Sequence, residues 1–253
     1  MNEENPLRNS PLLAQAPIIV LEGIDGTGKT TQMNLLKTYF ESQQVSCFQT
    51  GPYIASDTCR AIKSIVTGAG NVSPLTQAAL IVAGQLECGQ AIETWSNTTP
   101  GPVLMDRGWL STLVYQGLAE NMLQVVDLLL YSMVTYSNIF KSPDLVFYLT
   151  TSPTRANARV AEARQTERFK ARGVSWAQTL HQNYETTIRD LTQQVTELDA
   201  SPLSRQLDSL RDWERLAVRK LLLGTECIIL DSTPPAEEVH AQIVNKIQEC
   251  YAS

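Results

Sequence analysis

The chain has 253 residues, 43% of them hydrophobic and 18% charged, with a formal net charge of -6. That length buries a sizeable core in one large domain or two small ones, and the composition is that of a soluble globular protein. The negative balance excludes a large basic surface for nucleic acid, while a local group of Arg and Lys remains enough for a single nucleotide. No stretch approaches a membrane span, so no membrane partner is expected. The five cysteines, Cys47, Cys59, Cys88, Cys227 and Cys250, show neither CxxC nor metal-ligand spacing. They are expected as reduced thiols in a cytoplasmic protein.

Residues 1–16 carry early acidic residues and two prolines and read as a flexible tail ahead of a single domain over 17–253. The first strand is Ile18–Glu22, an apolar, β-branched run of the kind buried on both sheet faces. It runs into Gly23-x4-Gly28-Lys29-Thr30 and then a helix, Lys29–Ser42. Strand, glycine-rich loop and helix in that order make a phosphate cradle. Its residues Gly23, Ile24, Asp25, Gly26, Thr27, Gly28, Lys29, Thr30 and Thr31 are expected to hold a nucleoside triphosphate. Lys29 brings a point charge to the β- and γ-phosphates, and the Thr30 hydroxyl is a ligand for Mg²⁺.

A strand at Val45–Thr50 and helices at Asp57–Val66 and Pro74–Trp95 follow, ended by the polar run Ser96-Asn97-Thr98-Thr99 and Pro100-Gly101-Pro102. The third strand, Val103–Asp106, delivers the Asp106 carboxylate to the carboxyl edge of the sheet, beside the phosphate loop. There Asp106 holds Mg²⁺ or orients an acceptor, and Arg107 grips a second phosphate. A plain strand-end ion pair is the alternative for these two residues. Helices at Ser111–Gly117 and Asn121–Ser137, a strand at Leu145–Leu149 and helices at Pro153–Arg164 and Ser175–Leu198 come next. Arg164, Arg168 and Arg172, spaced one turn apart, form a cationic segment able to close over phosphates, or a solvated helix face. Ser201 and Pro202 open a further helix, Leu203–Leu222, whose apolar stripe docks on the protein's own sheet or on a partner. A strand at Cys227–Leu230 and a helix at Ala236–Cys250 end the chain. The alternation predicts an α/β fold: a five-stranded parallel sheet flanked by helices, with an extra helical hairpin over about 186–224. His181 and His240 lie far apart in helical patterns and read as structural.

Asp106-Arg107-Gly108, Ser111 and Val114-Tyr115-Gln116 resemble the Asp-Arg-Tyr-x2-Ser-x2-Ala-Tyr-Gln element of the thymidylate kinase family, whose phosphate loop is also preceded by Glu. Pro143–Leu149 looks like that family's fourth strand, Glu167-Arg168-Phe169 like its lid sequence, and Tyr184, eight residues after Trp176, like its Phe-x7-Tyr. The resemblance implies a three-layer P-loop kinase fold with a lid at about 160–173. It further implies transfer of the γ-phosphoryl of ATP to a deoxynucleoside monophosphate, usually dTMP. It puts Asp25 at the sugar 3′-hydroxyl, Arg107 at the acceptor phosphate, and Ser111, Tyr115, Gln116 and Tyr184 around base and sugar. Arg159 falls where the helix enters the lid, with Arg164 and Arg168 beyond it as the catalytic cations. Relatives are mostly homodimers. The apolar helices Pro74–Trp95 and Asn121–Ser137 fit such a contact and fit core packing equally well.

The departures fall mainly on the acceptor side. Gly26 stands where one subgroup has a loop Arg, and Ala163 where some relatives have a lid Arg. Thr50-Gly51-Pro52-Tyr53 lacks the Arg of Arg-Glu-Pro-Gly, Ile81–Leu86 lacks the Arg of Phe-x3-Arg, and Gly108 replaces an aromatic. Gln85 is the expected substitute at the base edge, and Trp109 the expected substitute for stacking. Two other functions stay open at this level. One is a kinase of the same fold acting on a deoxynucleoside or modified nucleotide. The other is a non-catalytic ATP-binding protein whose altered acceptor side engages a partner.

Overall fold

The structure, a computed structural model, describes residues 16–68, 72–163, 173–192 and 225–251. Most of the expected tail, Arg164, Arg168 and Arg172, and residues 193–224 of the hairpin expected over about 186–224 lie outside the described residues. Five parallel strands form one sheet in the order β2-β3-β1-β4-β5. They are β1 (Ile18–Glu22), β2 (Phe48–Thr50), β3 (Val103–Asp106), β4 (Leu145–Thr150) and β5 (Glu226–Asp231). Every residue of β1 is buried, because helices cover both sheet faces. Side chains alternate across it. Ile19 and Leu21 join Leu145, Phe147 and Leu149 under α1 (Lys29–Ser42) and α8 (Ala236–Tyr251), whereas Ile18 and Val20 meet Cys88 and Ile92 on the opposite side.

That opposite face carries α2 (Asp57–Thr67), α3 (Pro74–Thr98), α4 (Trp109–Thr112), α5 (Leu123–Thr135), α6 (Pro153–Ala163) and α7 (Gly173–Thr192). α2 and α3 begin as their sequences require, with Ser56 and Ser73 accepting from Cys59 N–H and Thr76 N–H and Pro74 in the first turn of α3. The chain leaves β1, skips to the outer strand β2, returns to β3 beside β1, and then crosses to β4 on the other side. The direction of winding therefore switches at β1, and the carboxyl end of β1 opens into a crevice where α/β sheets bind ligands.

Several boundaries differ from the sequence expectation, three of them with a visible cause. β2 starts at Phe48 and not Val45, because the Val45 N–H is spent on the Phe40 carbonyl at 2.9 Å and Gln44 turns the chain with φ 57°. α3 runs on to Thr98, its Thr99 N–H returning to the Trp95 carbonyl at 2.8 Å. The stretch read as one helix over Ser111–Gly117 is α4 followed by a π-helical turn, Leu113–Leu118, with Ala119 N–H reaching Val114 O at 3.0 Å and Met122 N–H reaching Gly117 O at 2.8 Å.

Candidate active site

The phosphate loop leaves the buried end of β1 and turns into α1 through Gly28, whose φ of 91° gives the helix a left-handed N-cap with no side-chain hydrogen bond. The first N–H groups of α1 have no intrahelical acceptor, and Lys29, Thr30 and Thr31 all line a cleft of about 370 Å³. Gly26 is held at φ 87°, and a Cβ there would meet the Ala156 carbonyl oxygen at 2.2 Å. α6 packs directly on the loop backbone, so the residue at this position has no room for the arginine that some phosphate loops carry. Arg159, also on α6, donates to the Gly26 carbonyl at 3.2 Å and to the Ser232 carbonyl at 3.2 Å, clamping loop, α6 and the end of β5 together.

Lys29 folds back over the loop and donates from Nζ to the Ile24 carbonyl at 2.8 Å, with the Thr27 hydroxyl on the same oxygen at 2.9 Å. Its pKa is pushed down to about 8, first by burial, then by the Arg107 charge, with Asp25, Asp106 and Glu22 partly offsetting both.

A second cleft, of about 390 Å³, adjoins the first, and Asp25, Asp106, Arg107 and Val160 line both. Arg107 holds the junction. Its backbone sits at φ 66°, a conformation costing roughly 1–3 kcal/mol for a non-glycine residue. The guanidinium over-determines that position. Nη1 donates to Gly23 O at 3.0 Å and Ser111 Oγ at 3.1 Å, while Nη2 meets Asp25 Oδ1 at 2.5 Å and Tyr115 Oη at 3.4 Å. The group also lies 4.9 Å above the Tyr115 ring. Asp106 lines both clefts, and its Oδ1 is a buried oxygen with no hydrogen-bond partner among the described residues. An orphaned carboxylate oxygen beside the Thr30 hydroxyl's cleft is the kind of donor that a hard divalent cation takes.

Under the second cleft lies Glu22, fully buried. Its Oε1 accepts from Gly108 N–H at 2.7 Å and Ser111 N–H at 3.2 Å, and its Oε2 from Ser111 Oγ at 2.6 Å and Tyr184 Oη at 2.9 Å. Burial pushes its carboxyl above the usual range, with Ser111, Arg107, Gly108 and Tyr184 pulling the other way. Glu22 thereby fixes the turn between β3 and α4 on which Arg107 and Ser111 stand. The sequence signal for it was an acidic residue ending an otherwise apolar strand.

Of the expected acceptor residues, Asp25, Arg107, Ser111, Tyr115 and Gln116 all line the second cleft. The wider π-helical turn accounts for this grouping, since it lets Ser111, Tyr115, Gln116 and Glu120 share one face. Three residues expected around the acceptor, Gln85, Trp109 and Tyr184, lie outside the lining of the second cleft. Gln85 Nε2 donates to Thr112 Oγ1 at 2.6 Å, its Oε1 is buried with no hydrogen-bond partner among the described residues, and it lines a separate apolar cavity of about 40 Å³ together with Trp109. Neither Gln85 nor Trp109 is among the cleft's lining residues, and Ile81 and Gln77 take that wall of α3 instead. Tyr184, wholly buried, supports Glu22 and Ser111 from below and lines neither cleft. Lys63, Gln77 and Trp176 line the cleft without having been expected there. His181 bridges Tyr148 and Glu185, and the described residues contain no group of three or more His, Cys, Asp or Glu side chains that could hold a metal. Among them no helix is long and apolar enough to cross a membrane.

Comparison with known proteins adds lineage to this geometry. The family model described as Thymidylate kinase matches residues 21–210. The thymidylate kinase of Prosthecochloris aestuarii is 26% identical over 194 residues, covering 72% of this chain and 85% of the relative. That of Chlorobium limicola is 25% identical, covering 72% and 87%, and that of Rickettsia typhi 24% identical, covering 76% and 93%.

Proposed function

The chain belongs to the thymidylate kinase family, a family of ATP-dependent nucleotide kinases, and from that premise we propose that it transfers the γ-phosphoryl group of ATP to dTMP, giving dTDP. The observation that carries this reading is the junction of the two clefts at Asp25, Asp106 and Arg107, with the Lys29 ammonium on the donor side. Phosphoryl transfer asks little covalent chemistry of a protein. It needs two polyanions aligned against their mutual repulsion and shielded from water. The loop amides and Lys29 take the triphosphate. Arg107 takes the acceptor phosphate, which competes with Asp25 for the guanidinium, and Asp25 is then released toward the sugar hydroxyl. Ser111, Tyr115 and Gln116 form the wall against which the nucleoside lies. Thr30 and Asp106 would hold Mg²⁺, which when bound neutralises charge on the transferred group. Arg159 keeps the loop seated while these groups act.

A panel of nucleoside monophosphates and free nucleosides assayed with Mg·ATP tests the proposal. Turnover highest on dTMP is expected. Turnover confined to another acceptor, or ATP binding with no phosphoryl transfer to any, would overturn it.

A further inference from the structure

Beside the second cleft, between α3 and the sheet, lies a small cavity of about 40 Å³ that the phosphoryl transfer proposed above does not use. Gln85, Gly89 and Ile92 of α3 line it at helical spacing, and Val20, Met105 and Val146 line it from β1, β3 and β4. Two glycines leave it unfilled. α3 passes so close to the chain after α5 that a Cβ at Gly89 would meet the Ile139 carbonyl oxygen at 2.1 Å, so the middle of the helical stripe carries no side chain. A Cβ at Gly108 would meet only Glu22 Oε1 and Val20 Cγ1, each at 3.5 Å and each from a residue that lines the cavity. The backbone there is extended, with φ -112°, so a side chain at 108 would be tolerated and would enter this space.

The walls define the occupant. Val20, Ile92, Met105, Leu110, Phe140 and Val146 are all buried and apolar. Three of the polar side chains lining the cavity are already engaged. Glu22 accepts four hydrogen bonds, Thr225 Oγ1 donates to the Pro143 carbonyl at 2.7 Å, and Lys141 Nζ donates to the Asn138 carbonyl at 2.8 Å and pairs with Glu93 at 3.7 Å. Gln85 differs. It is 4% exposed, its Nε2 is held by Thr112 Oγ1, and its Oε1 has no hydrogen-bond partner among the described residues. An orphaned amide oxygen beside an apolar cavity calls for one donor and no charge. The space exceeds the roughly 10–15 Å³ that one water needs, and a water would leave its other hydrogen-bonding groups facing apolar walls. A molecule with an aromatic side chain's bulk, one hydrogen-bond donor and no charge suits it, which is the chemistry of a phenol.

We propose that this cavity binds a small neutral phenol, its hydroxyl donating to Gln85 Oε1 and its ring filling the space beside Gly108, and that occupancy is transmitted to the second cleft. Gly108 is the shared wall: it lines both spaces, follows Arg107 directly, and shares Glu22 Oε1 with Ser111. A ring packed behind that turn restricts it before any acceptor arrives, so less freedom remains to be lost when the acceptor binds. The site itself is independent of the kinase reading, and its effect on dTMP rests on that reading.

The test uses the full chain, with phenol and its isostere toluene as probes. A titration followed by backbone amide resonances should show saturable one-to-one binding of phenol, with shifts at Gly89, Gly108 and Ser111 following one curve. Gln85→Met keeps the bulk of the side chain and removes the carbonyl, so the affinity for phenol relative to toluene should fall about tenfold, a change that general loosening of the fold would not produce. Gly108→Phe should abolish binding of both probes by filling the cavity with its own ring. In steady-state kinetics of the wild type, phenol should lower the KM for dTMP severalfold and leave the KM for ATP unchanged. Binding that does not saturate, or a phenol-to-toluene ratio that Gln85→Met leaves unchanged, would overturn the site, and an unmoved KM for dTMP would overturn its coupling to the second cleft. The kinase reading fails separately, by absence of dTMP turnover with and without phenol, and in that event the resonance shift at Ser111 still decides whether occupancy reaches the second cleft.

Discussion

Lys29 carries a pKa near 8 because it is buried beside Arg107 before any anion arrives. A triphosphate reverses that balance, since a polyanion favours the charged ammonium. Nucleotide binding should therefore weaken as pH rises through about 8, and binding at pH 8.5 should take up a fraction of a proton that is not taken up at pH 6.5. Calorimetry in buffers of differing ionisation enthalpy measures this, and Lys29→Met should abolish the uptake along with nearly all turnover while leaving the thermal transition close to wild type. Arg107 is the second test at this scale. Its four hydrogen bonds converge from a planar fork, which a lysine cannot reproduce. Arg107→Lys should behave like Arg107→Ala, raising the acceptor KM by roughly tenfold or more with a smaller effect on ATP. Rescue by lysine would show that charge alone matters there.

At the scale of elements, the phosphate loop is shaped as much by α6 as by its own glycines. Gly26→Ala would force a Cβ into the Ala156 carbonyl at an unfavourable φ. A loss of about 2–4 kcal/mol is expected, with weaker ATP binding, read from the urea midpoint and from nucleotide titration. A midpoint equal to wild type would mean that α6 does not bear on the loop. The strand, loop and α1 were legible in the sequence because they are local: periodicity, glycine spacing and a following helix suffice. The π-helical turn was not. Its residues, Leu113-Val114-Tyr115-Gln116-Gly117-Leu118, read as ordinary helix, and only the packing of Gly117 against Val126 on α5 and the pull of Glu22 on Ser111 reveal why the register widens.

For the molecule as a whole, both clefts open at the switch in winding beside β1, so donor and acceptor should stabilise one and the same body. ATP at a hundred times its dissociation constant should add about 2.7 kcal/mol. That is a rise in Tm of about 5–11 °C for a chain of this size. Chelation of Mg²⁺ should remove much of the ATP shift and little of the dTMP shift, because Asp106 and Thr30 would meet the cation on the donor side; equal losses would contradict that placement. The amino-acid order by itself determined the parallel α/β architecture, the phosphate loop, and the Asp-Arg pair at the end of β3, since each is written in contiguous residues. Tertiary structure alone decided which side chains line the second cleft. Gln85 and Gln77 lie eight residues apart on one helix, and both are amides. Once the helices pack, Gln85 is held by Thr112 and is not among the residues lining the second cleft, whereas Gln77 is. That contact joins residues distant in the chain, and its geometry exists only once the helices have packed.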